Sequence, residues 1–343
     1  MQEYEEELEE LESYLLLLED KDEMMAEDPM AVSEIYKEMG SIYVRMKRYE
    51  DALDVYAEAA KICEKEPEIG NEEAAEIYYE MGFVYFTIGN YWQALAYYQK
   101  DAVICEKVFG KEHLNTASAY NNVGAVYFKM RDDRLALEYY KKNLAIQEKR
   151  LTEKDSELAT TINNIAGIYD TTRDFTQALE YYKKALVICQ NTLGEMHPHT
   201  ASAYNHIGEV YRNLNVYPKA LEYHEKALSI RQAVLGEEHL STATSYNNIG
   251  LTYKGLIKYR VALDYYKKSI AVKEKCLAHE ELSTAVTYYN MAMIYGGFLE
   301  HRKSLIFLEK ALKIIEQILL PSHPYRIEWT KQKKIIQRNI KGR

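Results

Sequence analysis

The sequence contains few residues of the kinds that break helices or build disulfide frameworks. Its 343 residues include 15 Gly, 6 Pro and 4 Cys. That supply of Gly and Pro is too small for the many tight turns of a sheet-rich fold. No run of residues approaches the roughly 18 apolar side chains that a membrane-spanning helix needs. We therefore expect an all-α protein that does not enter a membrane.

Basic residues are nearly missing from the start of the chain and abundant at its end. The first 30 residues hold 13 acids and one base, whereas "PSHPYRIEWTKQKKIIQRNIKGR" holds seven bases and one acid. An acidic start is unlike a signal peptide, and the net charge of −10 argues against general nucleic-acid binding. We expect a cytoplasmic protein. The opposite charges leave two uses of the ends open, as solvated caps or as surfaces for self-association.

Tyrosine is the residue in excess, with 32 copies, and it marks an internal repeat. Steps of 42 residues reach a tyrosine seven times: Tyr43, Tyr85, Tyr127, Tyr169, Tyr211, Tyr253 and Tyr295. The same step gives a leucine column from Leu53 to Leu305 and a column of small residues from Gly40 to Ala292. Each unit has the apolar spacing of two amphipathic helices. One unit cannot bury its apolar faces alone, so stacked units must share a core.

The repeat resembles the tetratricopeptide repeat. One unit carries that family's aromatic, small and alanine positions as Tyr246, Gly250, Tyr253, Ala262 and Tyr266, while Ser269 departs from the final alanine. The 42-residue length, the "LG-x-x-H" loop and the "YNN" helix resemble the kinesin light chain subtype. The resemblance implies a right-handed superhelical solenoid of about seven helix-turn-helix repeats with capping helices. We expect an acidic cap or partial repeat over 1–30, seven repeats over 31–320 and a basic cap over 321–343.

The family resemblance also implies that the first helix of each repeat lines a concave groove. One groove position carries asparagine in four repeats and histidine in a fifth: Asn122, Asn164, His206, Asn248 and Asn290. An asparagine amide offers a donor and an acceptor that match a peptide backbone. A ladder of them would hold an extended peptide, which is what the family groove implies. Asparagine is also common in the general repeat, so bonding within or between helices remains the alternative.

Other groove positions would set ligand specificity. The first two repeats place acids there, among them Glu38 and Glu80, which favours a basic ligand segment. Leu251 and Met293 favour apolar side chains, and Lys129 and Asn213 complete the predicted site. We expect a non-enzymatic scaffold that binds a protein or peptide. The alternative is a peptide-sensing regulatory module that controls a fused or associated effector enzyme.

Motifs for catalysis or cofactor binding are missing. The sequence has no C-x-x-C pair, Gly-rich phosphate loop or G-x-S-x-G elbow. Three cysteines share one register and are expected to be small buried residues: Cys63, Cys105 and Cys189. Four histidines share another register, in the loop before a helix start: His113, His197, His239 and His323. Residues that repeat along an array do not gather at one point, so we expect no metal and no other cofactor.

Overall fold

The computed structural model describes residues 2–19, 29–65, 71–151, 155–276 and 281–342. These residues form sixteen helices and no strand: α1 (Gln2–Glu19), α2 (Pro29–Arg45), α3 (Tyr49–Lys65), α4 (Asn71–Thr87), α5 (Tyr91–Val108), α6 (Leu114–Lys129), α7 (Asp133–Arg150), α8 (Ser156–Thr171), α9 (Phe175–Leu193), α10 (Pro198–Asn213), α11 (Tyr217–Leu235), α12 (Leu240–Gly255), α13 (Tyr259–Lys275), α14 (Leu282–Gly297), α15 (His301–Ile318) and α16 (Pro324–Lys341). The all-α prediction is confirmed. Within these ranges no helix has the length and apolarity needed to cross a membrane.

Backbone contacts divide the chain into two compact units. The N-terminal unit comprises Met1–Thr152 and Thr160–Thr172, and the C-terminal unit comprises Glu153–Ala159 and Arg173–Arg343. In each unit the helices pack as hairpins, such as α4 with α5 and α12 with α13, and each hairpin packs on the next. Helix α1 packs against α2 through the buried Leu8. Residues 20–28 of the predicted acidic segment lie outside the described residues.

A small residue on the first helix of a hairpin lets the aromatic side chain of the second helix approach. A Cβ atom on Gly82 would lie 2.7 Å from Cδ1 of Tyr98, and one on Gly250 would lie 2.7 Å from Cδ1 of Tyr266. Those distances are shorter than any normal carbon–carbon contact. The glycine column of the sequence therefore reflects close helix packing within each hairpin.

The excess of tyrosine has two structural causes. One column stacks within the hairpin, as between Tyr253 and Tyr265, whose ring centroids lie 5.6 Å apart. A second column joins one hairpin to the next. The hydroxyl of Tyr120 donates to Oε1 of Glu106 at 2.6 Å, and the hydroxyl of Tyr288 donates in the same way to Glu274. Phenylalanine would give the first contact but not the second.

The "LG-x-x-H" segments are helix–loop–helix junctions. Gly194 has a φ of 87°, which favours glycine, and its carbonyl accepts a hydrogen bond from the Thr200 hydroxyl at 2.8 Å. His197 caps α10, because its Nδ1 accepts from the backbone N–H of His199 at 3.1 Å. The same capping bond occurs at His113, His239 and His323. These histidines lie in the loops, as predicted, and position the next helix.

The cysteines of the shared register are buried, as predicted. Cys63, Cys105 and Cys189 are buried free thiols, and Cys276 is an exposed one. In the part of the chain that the structure describes, no three His, Cys, Asp or Glu side chains gather where they could hold a metal ion.

Candidate binding surface on the first helices

Two cavities lie along helix α4 of the N-terminal unit. The α2–α4 cavity has a volume of about 510 Å³ and is lined by Glu34, Lys37, Glu38, Ser41, Tyr56, Glu76, Tyr79 and Glu80. The α4–α6 cavity has a volume of about 410 Å³ and is lined by Glu72, Ala75, Glu76, Tyr79, Asp101, Cys105, Phe109, Asn115, Ser118, Ala119 and Asn122. Glu76 and Tyr79 line both, so the two cavities adjoin. They bring together the predicted site residues Glu38, Glu80 and Asn122.

The α2–α4 cavity is strongly acidic. Its one basic lining residue, Lys37, already pairs with Glu76 at 2.9 Å and with Glu73 at 3.7 Å. Burial, followed by repulsion from Glu76, raises the pKa of Glu80. The surface therefore holds more negative charge than its own base neutralises, as the sequence predicted for this end of the array.

The α4–α6 cavity combines an amide with a buried acid. Asn122 is half-buried in its wall. Asp101 comes from the second helix α5 and is only 5% exposed. Its Oδ1 accepts a hydrogen bond from the Cys105 thiol at 3.2 Å. Burial raises the pKa of Asp101 to about 6, even though the hydrogen bond from Cys105 acts in the other direction.

The other predicted asparagines bond to neighbouring helices. Nδ2 of Asn164 donates to Oδ1 of Asn121 at 3.4 Å. In the C-terminal unit Nδ2 of Asn248 donates to Oδ1 of Asn205 and to Oε1 of Glu209, both at 2.8 Å. These amides are joined to the preceding first helix, which corresponds to the alternative role that the sequence left open.

Asn290 and the remaining predicted site residues occupy varied environments. Oδ1 of Asn290 accepts from Lys254 Nζ at 2.8 Å. The ring of His206 lies 5.1 Å from that of Tyr182. The apolar pair, Leu251 and Met293, is partly buried against the core of the C-terminal unit, whereas Lys129 and Asn213 are exposed.

Sequence reasoning concentrated on the first helices and missed polar groups on the second helices. Asp101 and Tyr56 are two of these. Two more are bases of the C-terminal unit: Arg231 donates to Ser245 Oγ at 2.8 Å, and Lys273 donates to Ser283 Oγ at 2.9 Å. Burial lowers the pKa of both bases. The sequence contained a signal for both bases. Arg231 and Lys273 lie in 42-residue steps from Cys189, so each replaces a small apolar residue of an earlier repeat with a charged one.

Comparison with known proteins decides the family. One family model, described as the tetratricopeptide repeat, matches residues 31–100, 102–149, 157–215 and 199–275. A second model of the same description matches residues 284–325. The chain belongs to the tetratricopeptide-repeat family. Its repeats are 42 residues long, as the tyrosine column shows. Repeats of this family form protein-interaction scaffolds, and the fold is generally non-enzymatic.

Solved structures share the fold at low sequence identity. BtubC (BKLC) from P. vanneervenii is 22% identical, with a TM-score of 0.58 over 67% of this chain and 91% of its own. A putative kinesin light chain of P. anserina with nearly identical repeats is 19% identical, with a TM-score of 0.53 over 59% of this chain and 95% of its own. A signal-transduction ATPase with a tetratricopeptide-repeat sensor, from Pyrococcus horikoshii, is 19% identical, with a TM-score of 0.65 over 94% of this chain and 46% of its own. Among curated proteins none matches the sequence.

Proposed function

We propose that the protein is a non-enzymatic scaffold whose N-terminal unit holds an extended segment of a partner protein. The observation that carries this proposal is the pair of adjoining cavities along α4, which are lined by residues of three successive first helices. Clefts of several hundred Å³ with a few convergent polar groups are the usual form of a binding site. The unbalanced acids favour a partner segment with basic side chains.

The asparagines have two roles in this account. Asn122 lines the cavity and offers its amide to a partner backbone. Asn164, Asn248 and Asn290 hold neighbouring first helices in place. A backbone hydrogen bond to Asn122 would contribute about 0.5–1.5 kcal/mol to binding.

Affinity capture tests the proposal with two variants of the same chemistry. Native protein, Asn122→Ala and Asn248→Ala would each be used to capture partners, and the products compared by mass spectrometry. Circular dichroism would establish that both variants remain helical. A partner that the Asn122→Ala protein retains less well than the native and Asn248→Ala proteins supports the proposed surface. A partner retained equally by all three places the interface elsewhere.

A regulatory module is the second candidate. The Pyrococcus protein pairs a repeat array of this fold with a signal-transduction ATPase, and its array is described as a sensor. In such a module, a peptide would bind the α4 surface, which is the surface formed by the two adjoining cavities along α4. Its binding would change the activity of a fused or bound effector. Activity of a co-purified effector that changes when a peptide is added would favour this candidate over the plain scaffold.

A further inference from the structure

Asp101 occupies a position that four other repeats fill with alanine. Steps of 42 residues along the second helices reach Ala59, Asp101, Asn143, Ala185, Ala227, Ser269 and Ala311. Asp101 is 5% exposed, and its hydrogen-bond partner among the described residues is a thiol, which is a weak donor. A buried carboxylate without a cation costs free energy, which an alanine would not. Packing therefore gives no reason for an acid at this position.

Tyr56 is a second buried polar group beside the same surface. It lines the α2–α4 cavity and is fully buried, and its hydroxyl has no hydrogen-bond partner among the residues that the structure describes. Burial, followed by the charge of the nearby Glu80, raises its pKa. The hydroxyl stays protonated and unpaired at the wall of the cavity, so a ligand that reaches it would supply the missing partner.

The described residues that line the cavity around Asp101 supply no positive charge. Helix α4 faces the cavity with Glu72, Glu76 and Tyr79, and α5 adds the Cys105 thiol next to Asp101. The lining residues of α6 are neutral. Lys37 lines the other cavity and is already paired with Glu76. A positive charge at Asp101 would therefore have to come from a ligand.

We propose that the two adjoining cavities bind two basic side chains of one extended partner segment, and that Asp101 is the carboxylate that receives the side chain entering the α4–α6 cavity. The inference rests on the proposed function and names the partner chemistry at that surface. Glu38, Glu80 and the Tyr56 hydroxyl receive the basic side chain in the α2–α4 cavity.

Arginine fits this surface better than lysine. A guanidinium offers five N–H donors in a planar fork, which suits the Asp101 carboxylate together with the Ser118 and Asn122 oxygens of the same cavity. Tyr79 is 39% exposed and lines both cavities, so its ring offers a surface for an apolar stem or a guanidinium plane. Packed helices lie about 8–10 Å apart and an extended chain advances about 3.3 Å per residue. The two basic residues should therefore be about three positions apart.

Binding of defined peptides to the full chain tests the inference. The probe is a labelled, end-capped glycine–serine peptide with two arginines three residues apart, followed by fluorescence anisotropy. The matched peptide carries glutamine at both positions. Asp101→Ala removes the carboxylate and introduces the residue of four other repeats, and Tyr56→Phe removes the unpaired hydroxyl. Asp54→Ala removes an exposed acid of α3, outside both cavities, and serves as the control.

We expect the native protein to bind the arginine peptide. Asp101→Ala should lower the affinity for this peptide about tenfold or more, which is the effect of losing a hydrogen bond to a charged group. Tyr56→Phe should weaken it by a smaller factor, and Asp54→Ala should leave it unchanged. Equal binding of both peptides, or of the arginine peptide to the native and Asp101→Ala proteins, would overturn the inference. So would spermidine that competes as well as the peptide, since the ligand would then be a free polyamine.

The failure of this inference can be told from the failure of the proposed function. No binding of the arginine peptide, together with a captured partner that depends on Asn122, overturns the basic-side-chain inference and leaves the scaffold surface in place. A second outcome is that peptide binding depends on Asp101 but capture of partners does not depend on Asn122. This outcome supports the inference and contradicts the proposed contact between Asn122 and the partner. If the arginine peptide does not bind and no captured partner depends on Asn122, both the inference and the proposed function are overturned.

Discussion

Nδ2 of Asn248 donates a hydrogen bond to Oδ1 of Asn205 at 2.8 Å, across the 43 residues that separate the two positions on helices α12 and α10. The same pairing joins Asn164 to Asn121, also 43 residues apart. In each pair the first asparagine of one repeat accepts from the second asparagine of the next. Asparagine is a mediocre helix former, and at these four positions it joins successive first helices.

Removing this bond should cost stability. In Asn248→Ala, the Asn205 and Glu209 oxygens lose a donor, so the free energy of unfolding should fall by about 1–3 kcal/mol. Asn122 makes no such bond to another described residue, and Asn122→Ala should change stability by less than about 0.5 kcal/mol. Thermal unfolding followed by circular dichroism compares the two variants. Equal melting temperatures would contradict the structural role given to Asn248.

The hairpin glycines give a second prediction. Gly250→Ala places a Cβ atom 2.7 Å from the Tyr266 ring and should destabilise the protein by about 1–3 kcal/mol. Gly297 ends α14, and a Cβ atom at that position would meet open space, so Gly297→Ala is the matched control. It should be neutral or stabilise by up to about 1 kcal/mol. Urea unfolding of the two variants measures both effects, and equal loss in both would contradict the packing account.

Backbone strain at one turn gives a third prediction. Steps of 42 residues reach seven turn positions with positive φ, and at Ile257 the angle is 62°. A β-branched residue is strained in this region, whereas asparagine tolerates it. Ile257 is 71% exposed, so its side chain contributes little packing. Ile257→Asn should therefore raise stability by about 1 kcal/mol in a melting experiment, and Gly89→Ile, at the same turn position of another repeat, should lower it. A lower melting temperature for Ile257→Asn would contradict the strain.

The buried acid gives a prediction about pH. The pKa of Asp101 is raised to about 6, whereas an aspartate in an unfolded chain has a pKa of about 3.9. The folded state thus holds the proton more tightly, and native stability should fall as pH rises from about 4 to 6, then stay lower. The loss corresponds to about 3 kcal/mol at neutral pH.

Asp101→Ala removes this pH dependence. The variant should be more stable than the native protein at about pH 7.5, and the difference should shrink below about pH 4, where Asp101 is protonated in both states. Melting temperatures of native protein, Asp101→Ala and Asp54→Ala across this range provide the measurement. If the difference in melting temperature between the native protein and Asp101→Ala does not vary with pH, the raised pKa of Asp101 is contradicted.

The repeat register predicted the helical hairpins and the core because the apolar and small-residue columns recur in similar packing environments. Tyr211 and Tyr253 each stack on a tyrosine of the second helix, and Gly82 and Gly250 each admit a tyrosine ring. The orientation of the asparagines could not be predicted in this way. Asn248 bonds to a residue on another helix, and one helix's periodicity contains no information about the distance to its neighbour.

Asp101 could have been predicted as a site residue from the sequence, but it was missed. It departs from a column that is alanine in four repeats, and such a departure at a buried position is a signal in itself. The prediction of the groove considered the first helices alone. Tyr56, by contrast, sits in an ordinary tyrosine position, and only the structure shows that its hydroxyl lacks a partner among the described residues.

The central claim is that a partner lies on the α4 surface of the N-terminal unit. Its most direct test is photo-crosslinking from Ser118, which is exposed and lines the α4–α6 cavity, with Lys107 on the exposed side of α5 as the control site. A photoreactive residue at each position would be irradiated with the captured partner and the adducts mapped by mass spectrometry. The account predicts adducts from Ser118 and none from Lys107. Adducts from Lys107 without any from Ser118 would contradict it.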